Sequence, residues 1–432
     1  MSETFFYDRE VETLDRDGLR ELQEERLAAL IAEIASNRFY AAKLRGSGLE
    51  LEGIKLIEDL RALPFTTKGE LVEQQAANPP FGNLLTYPLS RYRYFHQTSG
   101  TTGRPLKCPD TAESWDWWTR CWAYVYKAAG ITGDDVVFCA FSFGPYLSHW
   151  AAISGAWHVG ALCVSGGGMN SEQRLRTLLD NECTVIVCTP TYALHLAEAA
   201  KSLGIDLRSS AIRASIHAGE PGASLPNVRK LIEESWGATC FDHAGATEAG
   251  AWAFECQARA GAIHLNEAEF IFETIDPHTG ASLEEGRGEL VVTNLGRACL
   301  PVLRYRTGDL VDLTREPCEC GRGFARIRGG VLGRSDDMMI VRGVNLYPGA
   351  IDDLLRGLAG VAEYEVHVRR AGGMDDLLIR LEPGDSHPFQ QVARAVSDRF
   401  RAQYNIRVEL EEASPGSLPR YEFKARRYRR AT

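Results

Sequence analysis

The stretch Gln97-Thr98-Ser99-Gly100-Thr101-Thr102-Gly103-Arg104-Pro105 packs hydroxyl side chains and glycines into a few consecutive positions. Glycine lets backbone N–H groups approach an anion closely, and Ser/Thr hydroxyls add donors without charge. That chemistry suits a loop that holds a polyphosphate loosely and then releases it. A polar surface turn has the same composition. The strand-like run Tyr92 to His96 in front and the aromatic stretch Trp115 to Tyr126 behind favour the phosphate reading. No Lys-Ser/Thr pair follows Gly103, so this is not the G-x-x-x-x-G-K-[ST] loop, and a nucleotide site of another kind is expected.

Other segments pair reactive types. Phe241-Asp242-His243-Ala244-Gly245-Ala246-Thr247-Glu248 sets a hydroxyl beside a carboxylate after a glycine, a pattern that also makes helix caps. Tyr305-Arg306-Thr307-Gly308-Asp309 places a carboxylate after a glycine, where turn-forming aspartates also occur. Gly333-Arg334-Ser335-Asp336-Asp337 and Arg342-Gly343-Val344 follow, and Leu418-Pro419-Arg420-Tyr421-Glu422-Phe423-Lys424 sets a lysine near the C-terminus. Cys256, His264, Cys318 and Cys320 offer three sulfurs and an imidazole, a set suited to tetrahedral structural zinc. Their C-x-C spacing is the weaker zinc signature, and buried thiols with a nearby histidine read equally from it.

The elements that must hold these groups follow from periodicity. Residues 12–45 repeat leucine and isoleucine at helical spacing. From about residue 130, short apolar runs (135–141, 183–189, 211–217) alternate with helical segments (172–180, 191–203, 224–235). Such alternation predicts a largely parallel sheet with helices on both faces and ligands at the turns after the strands, as at His217-Ala218-Gly219-Glu220-Pro221-Gly222. Residues 263–313 read as strand-rich. A final segment from about 337 reads as strands near 363–369, 376–382 and 406–410 around a helix at 387–403. The fold class is therefore α/β: a large N-terminal domain, residues 1–335, of parallel sheets covered by helices with a strand-rich subdomain, then a small α+β domain, residues 336–432, that carries Lys424.

At 432 residues the chain exceeds one ordinary core, which agrees with two domains. A net charge of −10 argues against broad nucleic-acid binding, the basic run at 424–430 notwithstanding. No apolar run approaches the roughly 18 residues of a membrane span. The N-terminus shows no basic-then-apolar signal, and 11 cysteines in that context point to a reducing, cytoplasmic setting rather than disulfides.

Taken in order, these segments resemble the acyl-adenylate-forming enzymes, the superfamily of acyl-CoA synthetases, luciferases and peptide-synthetase adenylation domains. The start Tyr7-Asp8-Arg9-Glu10-Val11-Glu12-Thr13-Leu14, the segment Leu63-Pro64-Phe65-Thr66-Thr67-Lys68 and Cys318-Glu319-Cys320-Gly321-Arg322 are similar to the phenylacetate–CoA ligase family within it. The resemblance implies a two-step reaction. ATP with Mg²⁺ and a carboxylic acid give an acyl-adenylate and pyrophosphate, and coenzyme A then takes the acyl group. A carboxylate is a poor electrophile because its leaving group would be oxide; AMP makes that leaving group a stable phosphate. Two anions must therefore be held together as charge develops, which calls for cations and aligned donors.

By the same resemblance, Thr98, Ser99, Gly100, Thr101, Thr102 and Gly103 cradle the β- and γ-phosphates, and Gly219, Glu220 and Pro221 form the adenine-binding turn, with Asp242 in the nucleotide site. Thr247 contacts the α-phosphate, Glu248 binds Mg²⁺, Asp309 takes the ribose hydroxyls, and Arg334 reaches the ribose or phosphates. Lys424 bridges the α-phosphate and the acid, Asp336 is the hinge of a rotating C-terminal domain, and Arg342 and Gly343 lie near the pantetheine tunnel. Cys256, His264, Cys318 and Cys320 are the places where relatives carry Cys and His, which favours structural zinc. Departures from the family pattern are Ala244 where tyrosine usually faces adenine, with Phe241 or Trp252 as substitutes, and Phe423 where glycine usually precedes the lysine. Phe141, Tyr146, His149, His217, Ala218, Ala244 and Gly245 are the acid-pocket candidates, and aromatic walls with a few polar groups suit an aryl or arylacetic acid that carries hydroxyl or amino substituents. Delivery to a carrier-protein thiol or an amine is the alternative acceptor chemistry, and a degenerate nucleotide-binding relative is the non-enzymatic one. A homodimer is implied by the family alone.

Overall fold

The computed structural model describes residues 5–45, 48–99, 104–258, 261–342, 344–371, 374–384, 386–422 and 424–430. Gly100, Thr101, Thr102, Gly103, Gly343 and Phe423 lie outside them.

Five short strands, Val136–Cys139, Leu162–Ser165, Val185–Cys188, Ala214–His217 and Thr239–Ala246, pair in parallel. Val185–Cys188 and Ala214–His217, in the middle of this array, are buried at every position because helices cover both faces, which removes the alternation of a half-exposed strand. Local signals set those helices. Thr189 caps Pro190–Ser202 by accepting from the Tyr192 N–H, and Pro190 occupies the first turn, where its missing N–H costs nothing. Pro226 opens Pro226–Trp236, and Gly237 closes it at φ +64°.

The strand-rich region is continuous with this sheet rather than a separate layer. Thr239–Ala246 turns back against Gly250–Glu255, and the pairing then runs antiparallel through Ala262–Leu265, Arg326–Arg328, Tyr305–Thr314, Gly286–Asn294 and Phe270–Ile275. The described residues thus form one 13-stranded sheet, parallel on one side and antiparallel on the other. The glycine-rich loop falls at the turn of a separate two-stranded hairpin, Tyr92–Gln97 with Lys107–Thr111. Thr98 closes its base: its N–H donates to the Leu106 carbonyl at 3.0 Å, and its hydroxyl oxygen accepts from the Leu106 N–H at 3.0 Å. Thr111 then caps the helix Ala112–Ala128, which carries four tryptophans on consecutive turns into the core.

The C-terminal region has its own core, built from Met339, Ile351, Val366, Ile379, Val396 and Phe400 among others. Its central hairpin pairs Val361–Ala371 with Met374–Pro383 and is covered by the helix Phe389–Tyr404. Asp353 joins this unit to the larger one by accepting from the Asn227 N–H at 2.8 Å and from its amide at 3.2 Å. Among the described residues no helix is long and apolar enough to cross a membrane.

Between the hairpin and the large sheet lies a buried ion pair. Arg297 donates to both carboxylate oxygens of Asp110 at 2.7 and 2.8 Å, and both side chains are fully buried. The same guanidinium donates to the Thr247 and Glu248 carbonyls at 2.8 and 2.9 Å. Removing one partner leaves the other charge buried and unpaired, at a cost of about 3–5 kcal/mol. Asp110→Ala is therefore expected to lower the first urea-unfolding midpoint strongly, whereas Glu172→Ala, which breaks the exposed Arg176–Glu172 pair, leaves it essentially unchanged. Equal midpoints for the two variants would contradict this reading.

Candidate active site

The turns after the parallel strands and the hairpin base surround a cavity of about 280 Å³. Lys424 reaches it from the C-terminal unit. Lining residues include Thr98, Ser99, Tyr146, Ala218, Gly219, Glu220, Pro221, Asp242, Ala244, Gly245, Thr247, Glu248, Asp309 and Arg334. Residues from both ends of the chain and from the middle thus meet in one space.

One end of the cavity is charged. Glu248 is buried, accepts a hydrogen bond from the Tyr305 hydroxyl at 2.7 Å, and lies 3.4 Å from the Lys68 ammonium. Burial alone would raise its pKa, but Lys68 and the Tyr305 hydroxyl outweigh it and hold the carboxyl below its ordinary value. Asp309 goes the other way: burial pushes it up to about 6 despite Arg334 at 3.3 Å. Arg334 also donates to the Thr307 carbonyl at 3.0 Å and pairs with Asp336 at 2.9 Å. Gly308, at φ +76°, makes room for it, since a Cβ there would lie 2.7 Å from the Arg334 guanidinium.

Lys424 is exposed as a residue, and it lines the cavity among the groups that its ammonium meets there. Burial of the ammonium lowers its pKa, opposed by Glu220 and assisted by Lys68. A Cβ on Gly219 (φ +95°) would stand 3.3 Å from Lys424 Cε, so the glycine keeps the lysine's path open. Glu220 fastens the approach: one carboxylate oxygen accepts from the Thr191 N–H at 3.0 Å and the other from the Ala425 N–H at 2.9 Å. The carboxylate thereby ties a helix start of the large unit to the lysine loop of the small one.

The aromatic part of the cavity wall is formed by Trp118, Trp122 and Trp252. Trp122 packs against His243, with ring centroids 4.6 Å apart. Phe241 points into the core instead, so of the two expected substitutes for the missing tyrosine at Ala244 only Trp252 reaches the cavity.

Three pocket candidates do not line the cavity. Phe141 is a buried core residue. His149 lies beneath the loop 142–146, its Nδ1 3.1 Å from the Phe141 carbonyl oxygen. His217 is fully buried, with Nε2 2.9 Å from the Ser215 hydroxyl. Phe141 and His217 sit on or just after a parallel strand, where successive side chains point to opposite faces, and His149 lies on the helix Leu147–His158. Asp336 and Arg342 are likewise outside the cavity; Arg342 is exposed and pairs with Asp376. Sequence reasoning assigned no role to Lys68, Trp118, Trp122, Ser224 or His243. Lys68 has the one visible cue, a capping box in which Thr67 and Glu70 fix the helix start that presents it.

Away from the cavity, ligand atoms of Cys256, His264, Cys318 and Cys320 all lie within 4.8 Å of one another and are buried. Cys256 Sγ is 3.7 Å from Cys318 Sγ, and Cys320 Sγ is 3.4 Å from His264 Nε2.

A mixed α/β sheet with a separate C-terminal unit whose lysine enters a nucleotide-sized, cation-lined cavity defines an adenylate-forming enzyme. Residues 31–296 match the AMP-binding enzyme family, and residues 343–429 match the AMP-binding enzyme C-terminal domain. The chain is 31% identical to the phenylacetate-coenzyme A ligase of Thermus thermophilus, across 96% of this chain and 97% of that protein. It is 31% identical to the Escherichia coli enzyme of the same name across 96% and 95%. A crystal structure of 2-hydroxyisobutyryl-CoA ligase in the postadenylation state superposes with a TM-score of 0.94 at 29% identity, covering 100% of this chain and 93% of that one. The same ligase in the thioesterification state gives only 0.75 over the same coverage. The chain belongs to the AMP-binding enzymes, on their phenylacetate–CoA ligase branch. It activates a carboxylic acid with ATP through an acyl-adenylate and passes the acyl group to coenzyme A.

Burial holds His217 at about 3 and His243 at about 4, below the ordinary histidine value of about 6.5. As pH falls from about 6.5 to 4, the unfolded chain takes up protons that these rings refuse in the folded state. Their contribution is fully present above that window and lost through it. Asp309, at about 6, and Glu255, at about 7, are raised and act with the opposite sign over part of the range. A difference between variants therefore isolates the histidine. His217→Gln is expected to lose less stability than the parent protein between pH 7 and 4.5, read as urea midpoints; parallel curves would refute it.

Proposed function

We propose that the acid activated is an aryl or arylacetic acid. The observation behind this reading is one cavity lined both by the charged groups Glu248, Asp309 and Lys424 and by Trp118, Trp122 and Trp252, which matches a carboxylate attached to a flat apolar body. The names of the phenylacetate-coenzyme A ligases agree with it. The test is AMP release dependent on both coenzyme A and acid across a panel of aryl, arylacetic and aliphatic acids. Turnover confined to aliphatic acids would overturn it.

In this reading Thr247 binds the α-phosphate, and Ser99 and Thr98 stand at the base of the phosphate-gripping loop that continues through Gly100, Thr101, Thr102 and Gly103. Gly219, Glu220, Pro221 and Asp242 form the adenine wall, and Asp309 accepts from the ribose. Arg334 is paired with Asp309 and Asp336 and exchanges those partners for nucleotide oxygens. Glu248 fits a hard cation, because Tyr305 and Lys68 keep its buried carboxylate ionised at the cavity wall. Glu248 would hold Mg²⁺, whose chemistry there is to neutralise phosphate charge.

Lys424 supplies the cation that holds the α-phosphate and the attacking carboxylate together. Two anions brought within bonding distance repel, and a positive charge between them favours the arrangement in which the new bond forms. The small unit, residues 336–432, then rotates about Asp336, withdraws Lys424 and brings Arg342 and Gly343 toward the thiol. The higher TM-score to the postadenylation state supports the arrangement with the lysine still inside. Lys424→Ala is expected to lower acid-dependent ATP–pyrophosphate exchange by about 10²-fold or more. Thioester formation from a supplied acyl-adenylate should stay within a few-fold. Equal losses in both assays would remove this role.

The four-residue cluster fits structural zinc. Ligands about 2.3 Å from a tetrahedral centre stand roughly 3.8 Å apart, close to the 3.7 Å between Cys256 and Cys318. Four protein ligands leave no open position, so the ion would tie the segment after Gly250–Glu255 to the 318–322 turn and take no part in the reaction. About one equivalent of zinc in the purified protein, lost in Cys318→Ser together with thermal stability, is the expected result. Full occupancy in that variant would exclude the assignment.

A further inference from the structure

At the aromatic end of the cavity, the hydrogen-bonding role of one polar group is set by the fold before any ligand arrives. His243 lies on the strand Thr239–Ala246 and is buried against Trp122. Its Nδ1 is 2.7 Å from the Ala253 carbonyl oxygen on the neighbouring strand. A carbonyl oxygen only accepts, so Nδ1 must carry the ring's proton. Burial keeps the ring neutral at physiological pH. Nε2 is therefore a lone pair with no proton of its own, and among the described residues no hydrogen bond is made to it.

A buried acceptor left without a partner costs stability. A ligand in the cavity that donates to the imidazole relieves this cost. An unsubstituted ring and a methyl ether carry no donor, and a hydroxyl does. We propose that the site takes a hydroxyl-bearing aryl acid, with His243 Nε2 accepting the hydroxyl proton, so that His243 is a specificity-determining residue. This rests on the aryl-acid reading above.

The test measures kcat/KM for acid-dependent ATP–pyrophosphate exchange with matched sets of parent, hydroxy and methoxy acids, the substituent placed at each ring position. With the protein as it stands, the best hydroxy acid should exceed its own parent and methyl ether by about tenfold or more, since a site built to bond a hydroxyl leaves its polar groups unpaired with analogues that lack one. In His243→Leu that ratio should collapse to about one whatever the absolute rates, and in His243→Gln, which keeps an acceptor, part of it should return. Equal use of hydroxy and parent acids, or a preference that survives in His243→Leu, would overturn the proposal while leaving the aryl-acid reading in place. Exchange with aliphatic hydroxy acids and with no aryl acid would instead sink the aryl-acid reading itself. The unmodified protein decides between parent, hydroxy and ether even if the leucine variant fails to fold.

Discussion

The bidentate pair between Arg297 and Asp110 is the constraint on which the site depends. Asp110 belongs to the hairpin that presents the glycine-rich loop, and Arg297 follows the antiparallel strand Gly286–Asn294. By also donating to the Thr247 and Glu248 carbonyls, Arg297 holds the Thr-Glu turn and the hairpin at a fixed separation. Both charges are withdrawn from water, so the arrangement tolerates little displacement: a shift that stretched one bond would expose a full desolvation cost. Trp118 lies against the guanidinium at 5.4 Å, and the wall of the aromatic end is thereby set by the same residue.

A second level of organisation is deliberately less rigid. The small unit meets the large one through few polar contacts, chiefly Asn227 with Asp353, Glu198 with Arg420, and Glu220 with the Ala425 N–H. These are partly exposed bonds, individually weak in water. Each unit keeps its own core on its side of this interface. Glu220 couples this interface to chemistry, because the carboxylate that grips the lysine loop also lies in the cavity wall.

Much of the fold was legible in the amino-acid order. The runs at 183–189 and 211–217 became the parallel strands Val185–Cys188 and Ala214–His217, and the helical segment at 191–203 became the helix Pro190–Ser202 between them. Periodicity and caps are local, so they survive without tertiary information. Continuity of the parallel and antiparallel halves in one sheet was not legible, because it depends on which strand edges meet and not on what any strand contains. At the site, Thr247, Glu248, Asp309 and Lys424 were found through ordered motifs, and the structure gathers them around one cavity. His149 and His217 were misplaced, since a histidine on a helix or at a strand end looks the same in sequence whether it faces ligand or core.

The order of residues thus marked by itself the groups that meet at the cavity: Thr98 and Ser99, Thr247 and Glu248, Asp309 and the late Lys424. Ordered motifs single them out, because a motif is local and needs no neighbours. Only the tertiary structure decided what surrounds the acid. Trp118, Trp122, His243 and Trp252 come from one helix and two strands, and the distance from His243 Nδ1 to the Ala253 carbonyl across the sheet sets which ring nitrogen remains an acceptor. Hydrogen-bond direction and shared burial arise from contacts between distant segments, and no local pattern encodes them.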